Sequence, residues 1–292
     1  MSSRIGRSRM SVPQPPHRHH FVPRMLQKHF VDREGWLYAA RRCNPTPEIF
    51  RGRPDTLFFE RHLYSEIEED GRRVPRTEGR LAGLEDLAAG LFERILTAAR
   101  AGRPPDLTSD DLDLWYLFLT IQWKRAPDMR NSQEGQAMAD DVFRSTIDRA
   151  RAHFPHQSDE IDRLSTPGQR ARLIHNARLS ALGVTEGVLD ALRSRGMAVL
   201  RVAQPNKQFV LASRPVVKLT SPGKTHLRHP ECETWLAIAP DVAVGLGLGA
   251  GRVSLHPVSA ENVRHINLAV ASQSSMIASA SPPLIRSLLR PR

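Results

Sequence analysis

The sequence predicts an α+β protein in which a helical N-terminal and central part precedes a C-terminal antiparallel sheet. Between residues 84 and 194, apolar side chains recur mainly at three- and four-residue steps, as they do on one face of a helix. After Gly196 they alternate or form short runs separated by glycine and proline, which is typical of strands. Because these strands follow one another without helices between them, the order favours an antiparallel sheet over a doubly wound parallel one.

Short elements are predicted before the first long helix. The segment 36–80 is expected to form turns and short strands, because Gly52 and Pro54 interrupt its apolar pieces. A helix is predicted over 84–101, with Gly102 as its stop signal.

The clearest helix follows Thr108, which offers a hydroxyl cap before the acidic residues Asp110 and Asp111. A mostly apolar run from Leu112 to Trp123 then predicts a buried central helix. Further helices are predicted over 133–152, 167–181, 186–194 and 260–279. Strands are predicted over 198–202, 209–212, 216–219, 234–238 and 252–255.

The chain of 292 residues carries a net charge of +11 and has a sequence pI near 10.6. Such an excess of positive charge favours anionic partners, and nucleic acid is the first of these. Two distant cysteines do not form a disulfide framework, and no stretch approaches the roughly 20 apolar residues of a membrane span. We therefore expect a soluble cytoplasmic protein without a membrane partner, whose oligomeric state the sequence leaves open.

Three segments are predicted along the chain. Residues 1–16 contain three arginines and no acidic residue, which indicates a disordered basic arm. Residues 17–280 are expected to form a single α+β domain. Residues 281–292 form a basic tail with a short apolar stripe, which could dock on the body or on a partner.

A histidine cluster is the strongest candidate site. His17, His19 and His20 lie within four residues and precede Pro23, which disfavours helix at the residue before it. Imidazoles can bind a divalent metal, transfer protons or contact an anion, and all three roles stay open beside a purely structural one. Adjacent His19 and His20 point to opposite faces of an extended chain, so at most one of them would bind a given ion. Arg24 lies close enough in sequence to neutralise a phosphate.

The central helix supplies a second group of candidates. Gln122 and Arg125 continue the stripe of its apolar residues and need partners if they are buried. Arg125 could pair with Glu85 or bind a substrate anion, and Arg130 could close over the same site. Ser213 could serve as a nucleophile if a histidine meets it in space.

A family resemblance rests on several motifs. The stretch HHFVPRMLQKHF resembles the signature of a mainly bacterial family called domain of unknown function 4238, in which His-His-x-Val-Pro precedes a leucine and a phenylalanine. Further motifs follow in that family's order over about residues 17–280: Arg61-His62-Leu63-Tyr64, Gln122-Trp123-Lys124-Arg125-Ala126-Pro127, Ser213-Arg214-Pro215-Val216 and Asn267. The family commonly has Ser-Asp-x-Pro at the third of these, so the acid expected there is missing. The resemblance implies no settled activity.

Other standard motifs are weak or absent. His226, His229 and Cys232 have zinc-like spacing but lack a fourth ligand, and the glycine-rich run 245–251 lacks the lysine of a phosphate-binding loop. The sequence contains neither His-Glu-x-x-His nor Gly-x-Ser-x-Gly, so protease and α/β-hydrolase functions are disfavoured.

Two functions of different class follow. The first is an enzyme that cleaves a phosphodiester of RNA or DNA, in which His19 and His20 supply acid–base or metal chemistry and Arg24, Arg125 and Arg130 bind phosphate. The second is a non-catalytic nucleic-acid-binding or regulatory protein with structural histidines. Convergence of His20, Gln122, Arg125 and Ser213 on one pocket would favour the enzyme.

Overall fold

A computed structural model describes residues 18–42, 44, 46–221 and 223–290. The predicted basic arm 1–16 and His17 lie outside the described residues. The strands are β1 (Arg18–His20), β2 (Leu37–Arg41), β3 (Ile49–Gly52), β4 (Phe59–Arg61), β5 (Glu66–Ile67), β6 (Arg73–Val74), β7 (Gly196–Val202), β8 (Leu211–Ala212), β9 (Val216–Leu219), β10 (Glu233–Ala239), β11 (Val242–Gly247), β12 (Val253–Val258) and β13 (Met276–Ser279). The helices are α1 (Arg24–Gln27), α2 (Arg76–Arg100), α3 (Ser109–Arg125), α4 (Pro127–Arg130), α5 (Gln133–His153), α6 (Ser158–Leu164), α7 (Pro167–Ser180), α8 (Glu186–Arg193), α9 (Ala260–Ser272) and α10 (Pro282–Leu289).

The α+β class is confirmed, but the expectation of a helical N-terminal part is wrong. Six short strands, β1 to β6, precede the first long helix α2. The central helices α2 to α8 follow, and the C-terminal third contains most of the remaining strands. The short apolar pieces predicted over 36–80 account for several of these early strands.

The larger sheet is mixed and not purely antiparallel. Its strand order is β12-β7-β11-β10-β9, and β12 runs parallel to β7 while the other pairs are antiparallel. After β11 the chain passes the end of β7 and pairs with the free edge of that strand. This crossing over one neighbouring strand makes β12 parallel, which local sequence patterns do not reveal.

Glycines permit the crossing between β11 and β12. A Cβ atom on Gly196 would lie 2.5 Å from the carbonyl oxygen of Gly249 and 2.4 Å from that of Arg252. Gly249 and Gly251 have φ angles of +84° and +70°, which glycine adopts readily. The glycine-rich run is therefore the end of β11 and a tight connection.

The second sheet joins the two ends of the chain in the antiparallel order β3-β2-β13-β8. The helix predicted over 260–279 is wrong in its last part, because α9 ends at Ser272 and β13 follows. All four residues of β13 are buried between β2 and β8. Because β13 pairs with a strand on each of its two edges, these residues form a strand and do not continue the helix α9.

The predicted central helix is confirmed as α3. The Thr108 hydroxyl accepts a hydrogen bond from the Asp111 backbone N–H at 3.2 Å, and the Asp111 carboxylate accepts one from the Thr108 N–H at 3.0 Å. This reciprocal cap satisfies two backbone donors at the helix start. Trp115 and Phe118 of α3 are buried and pack against Phe92 of α2.

The C-terminal stripe packs on the body of the molecule. Ile285 and Leu288 of α10 are buried, and α10 contacts β2, β3 and β13. The apolar stripe of the C-terminal tail therefore packs against the body of the same molecule, which is one of the two alternatives that the sequence left open. Within the part of the chain that the structure describes, none of the helices has the length and apolar character needed to cross a membrane.

Candidate active site around the histidine strand

The strand β1 holds the adjacent histidines on opposite faces, as its extended backbone requires. It pairs antiparallel with β4, so that His19 lies opposite Glu60 and His20 lies opposite Phe59. His19 is fully buried, whereas His20 is partly exposed. The two imidazoles therefore meet different surroundings.

His19 contacts the chain segment that follows β4. Its Nδ1 accepts a hydrogen bond from the Tyr64 backbone N–H at 2.8 Å and lies 3.8 Å from Oε2 of Glu78. The imidazole also stacks on the Tyr64 ring, with 5.7 Å between the ring centroids. Because Nδ1 accepts a backbone proton, the neutral ring carries its own proton on Nε2.

The backbone around β4 adopts two sparsely populated conformations. Phe58 and His62, on either side of this strand, have φ angles of +54° and +57°. Such left-handed geometry is unfavourable for residues other than glycine and is often held at functional sites by its surroundings. Here the contacts of β1 with β4, and of His19 with Tyr64, hold this backbone in place.

His20 has an unpaired nitrogen in a shielded position. Its Nε2 is buried and has no hydrogen-bond partner among the described residues. Burial, and secondarily the positive charge of Arg24, lower the pKa of the imidazole below its usual value. His20 is therefore neutral at pH 7 and can accept a proton.

Arg125 is the buried charge beside these histidines. It is 1% exposed, and its Nη1 lies 2.8 Å from Oε1 of Glu85. Its Nε donates to Oε1 of Gln122 at 2.8 Å, and the Gln122 amide donates to the Phe21 carbonyl at 2.8 Å. Of the two predicted roles for Arg125, the pair with Glu85 is present. Its Nη2 is buried without a partner among the described residues, so one donor is left for an acceptor.

Glu78 completes the group from the first part of α2. It lies seven residues before Glu85, which places both carboxylates on one face of the helix. Burial, and then the negative charge of Glu85, raise the pKa of Glu78 to about 7, while Arg125 acts in the opposite direction. Near neutral pH this carboxyl is therefore present in both protonation states.

Ser213 belongs to a separate hydrogen-bonded group. Its hydroxyl contacts the Asp128 carboxylate, accepts from the Met276 backbone N–H at 3.0 Å and lies 3.3 Å from the Ser275 hydroxyl. These contacts join Ser213 to α4 and β13 and not to the histidines of β1. Asp128 thus supplies a carboxylate beside Ser213, although the expected acid is missing from position 214.

The two remaining predicted arginines occupy different places. Arg24 is exposed at the start of α1, and its charge acts on His20. Arg130 ends α4, and its electrostatic neighbours are Tyr64, Arg178 and Glu60. The structure therefore groups His20, Gln122 and Arg125, with Arg24 at the rim, and it places Ser213 in a separate group with Asp128. Arg130 lies near Tyr64 and Glu60.

No group of three or more His, Cys, Asp or Glu side chains among the described residues is arranged to hold a metal ion. In the segment with zinc-like spacing, Nδ1 of His226 accepts from the Arg228 N–H at 3.2 Å, and Nδ1 of His229 accepts from the Glu231 N–H at 3.1 Å. Each histidine therefore caps its own turn.

Comparison with known families matches residues 18–282 to the sequence model described as protein of unknown function, DUF4238. The chain belongs to this family. The match covers nearly the whole chain, and the resemblance inferred from the His-His-x-Val-Pro motif is confirmed. No curated protein and no solved structure matches the chain.

In this DUF4238 chain, Glu78 and Tyr64 contact His19 in the candidate site, and the sequence patterns alone do not select them. Glu78 lies before the predicted start of its helix at 84, because α2 begins at Arg76. If the helix is started at residue 76, Glu78 and Glu85 lie seven residues apart on one helix, and this spacing indicates that the two carboxylates share a face. Tyr64 belongs to a family motif, but its contact with His19 depends on the fold.

Proposed function

We propose that this protein is an enzyme that cleaves phosphodiester bonds in RNA or DNA, with His20 as general base and Glu78 as general acid. One arrangement carries the proposal: Nη2 of buried Arg125 and Nε2 of His20 both lack partners among the described residues, and the charge of Arg125 acts on His20 and on Glu78. In agreement with this arrangement, the pKa of His20 is lowered and the pKa of Glu78 is raised. Surroundings that shift two pKa values in this way supply a neutral base and a protonated acid at the same pH.

The proton transfers assign one role to each group. Nε2 of His20 takes the proton of an attacking water or ribose hydroxyl, and the Glu78 carboxyl protonates the leaving oxygen as the P–O bond breaks. Nη2 of Arg125 donates to the non-bridging oxygen on which negative charge grows. One proton is taken and one is given, and exchange with water restores both groups.

Positioning roles are proposed for two further residues. Gln122 bridges Arg125 and the Phe21 carbonyl, so it orients the guanidinium relative to the histidine strand. His19 is buried against Tyr64 and Glu78, and we assign it to holding those residues in place. Neither side chain needs to touch the substrate.

Charge supports nucleic acid as the substrate class. The segment 18–61 contains nine basic and five acidic side chains, in a chain whose net charge is +11. Exposed Arg24 lies at the rim of the site, where it can neutralise a phosphate. The positive balance of this segment therefore favours a polyanion, and Arg24 offers it a contact beside His20.

A second candidate is a nucleic-acid-binding protein without catalysis. It is supported by the burial of Nε2 of His20 and Nη2 of Arg125, both of which are shielded from solvent. A substrate reaches these atoms only after the surrounding segments move. Binding at exposed Arg24 needs no such movement.

Cleavage of labelled RNA and DNA by the full chain, with and without chelator, tests the enzyme. We expect His20→Ala and Glu78→Gln each to lower the rate by about 100-fold or more, because each removes one proton-transfer group. The rate of the unaltered protein should rise as His20 loses its proton below pH 6.5 and fall above about pH 7, where Glu78 ionises.

His156→Ala, which changes an exposed histidine on another part of the molecule, is the control for these variants. Equal cleavage by all three variants would contradict the assignment of His20 and Glu78. Salt-sensitive binding without cleavage would favour the second candidate. Loss of cleavage on chelation would show that a metal ion takes part.

A further inference from the structure

We propose a second binding site, independent of the proposed catalysis, that takes an organic carboxylate with an apolar chain. The site is a cavity of about 170 Å³ between α3, α4, α5 and α7. Its apolar wall is formed by Met129, Ala139, Val142, Ile174, Ala177 and Leu182. Trp123, Arg130 and Arg178 also line it and bring polar groups to the same space.

Three of the residues that line this cavity carry unsatisfied donors. Nε1 of Trp123, Nε and Nη1 of Arg130 and Nε of Arg178 are each buried without a hydrogen-bond partner among the described residues. All four atoms donate and none accepts. Since a buried donor without a partner is costly, this one-sided set indicates a ligand that supplies acceptor oxygens.

The charges at the cavity favour an anion. Burial, and then the positive charge of Arg178, lower the pKa of the Arg130 guanidinium. The carboxylate of Glu60 acts on Arg130 in the opposite direction. Lys124 is already engaged, since its Nζ donates to the carbonyl oxygens of Ala181 and Gly183. A carboxylate between the two guanidiniums would relieve their repulsion and accept from both.

The walls and the volume define the rest of the ligand. A cavity of about 150 Å³ holds an apolar group of roughly six carbons, so this one has room for a chain of about six to eight. Its walls are mainly aliphatic, and a small inorganic anion would leave them without apolar contact. A neutral apolar molecule would leave the donors unpaired. Only an amphipathic anion satisfies both parts of the cavity.

Calorimetric titration of the full chain with octanoate tests the proposal, with acetate and 1-octanol as the charge-only and chain-only ligands. We expect octanoate to bind at least tenfold more tightly than either. Arg178→Gln should weaken octanoate binding at least tenfold because it removes the anion contact, and Ala177→Phe should abolish it by filling the cavity. Arg163→Gln, an exposed arginine on α6, is the matched control and should bind as the unaltered protein does.

Several results would overturn the site. Octanol binding as tightly as octanoate would remove the role of the guanidiniums, and acetate binding as tightly would remove that of the apolar wall. If octanoate does not bind, or if Ala177→Phe binds it as tightly as the unaltered protein does, this cavity is not a carboxylate site. If Arg178→Gln does not fold, the ligand series and Ala177→Phe still decide. His20→Ala should bind octanoate normally, which separates this site from the catalytic proposal.

Discussion

Arg125 carries a positive charge into the interior with only part of its donor capacity used. Glu85 binds one amino group and Gln122 binds Nε, while Nη2 has no partner among the described residues. A buried ion pair contributes little net stability compared with apolar packing, but removal of one partner leaves an uncompensated charge. The pair is therefore better explained by the need to hold Nη2 in one position than by stability.

Removal of the Glu85 carboxylate should destabilise the fold by leaving the buried charge of Arg125 uncompensated. We expect Glu85→Ala to lower the free energy of unfolding by about 3 kcal/mol, because Arg125 then stays buried without its counter-charge. Urea unfolding followed by circular dichroism measures the change. Asp86→Ala, at the exposed neighbouring position on α2, should change stability by less than about 0.5 kcal/mol. Equal effects of the two substitutions would show that the ion pair is not needed.

At the level of elements, Arg195 fixes the connection between β9 and β10. Its Nε donates to the Gly247 carbonyl at 2.9 Å, and its Nη1 donates to the carbonyls of Leu227 and His229 at 2.9 and 2.8 Å. The side chain is 4% exposed, so these charge-assisted hydrogen bonds replace water around a buried guanidinium. One residue before β7 thus organises a loop more than thirty residues away.

Arg195→Met should loosen this connection. We expect faster trypsin cleavage after Lys224 and Arg228, together with a loss of about 2 kcal/mol in stability, because several loop carbonyls lose their donor. Mass spectrometry of the fragments locates the cleavage. Arg193→Met removes an exposed arginine nearby and should leave the digestion pattern unchanged. Identical patterns for both variants would contradict the role of Arg195.

Elements with local signals could be predicted from the sequence, and elements that depend on distant pairing could not. The cap at Thr108 and Asp111 lies within the sequence of α3, so this helix was predicted correctly. The sequence predicts the end of a helix where β13 lies, because the partner strand β2 is far away in the sequence. The strand β11 is absent from the predicted strands, because its glycines weaken the strand pattern, although in the fold they permit close contacts with neighbouring strands.

In the candidate site, too, the residues with local sequence signals could be predicted, and the contacts that depend on packing could not. His20 and Arg125 were selected because their residue types and spacing are informative, and the Glu85 pair was one of two alternatives. The raised pKa of Glu78 depends on burial and on a neighbouring carboxylate, which only the packed structure specifies. Likewise, the unpaired donors of Arg130 and Arg178 can be recognised only once four helices enclose them.

At the scale of the whole molecule, the second sheet and α10 bind the two ends of the described chain together. β2 and β13 pair directly, and α10 lies across β2, β3 and β13. Ile285 is fully buried at this position, with one continuous apolar core beneath it. Local loss of this contact should therefore be felt by the entire domain.

Ile285→Ala should lower the free energy of unfolding by about 3 kcal/mol, since it leaves a cavity under α10. Tryptophan fluorescence and far-ultraviolet circular dichroism should report the same lowered urea midpoint, as expected for one cooperative unit. Arg286→Ala, at the next and exposed position, is the control. Separate midpoints for the two probes would show that the ends of the chain unfold independently.

The pairing of β2 with β13 also has a consequence during protein synthesis. Leu37, Ala39 and Ala40 of β2 are fully buried in the native protein, but the strand that covers one of its edges is translated last among the strands. Until residue 279 has left the ribosome, β2 can pair with β3 on one edge, but its other edge stays unpaired and can associate with other chains. Translation that stops before this point would therefore yield aggregating fragments, and slow synthesis would lengthen the time for which the nascent chain needs chaperones.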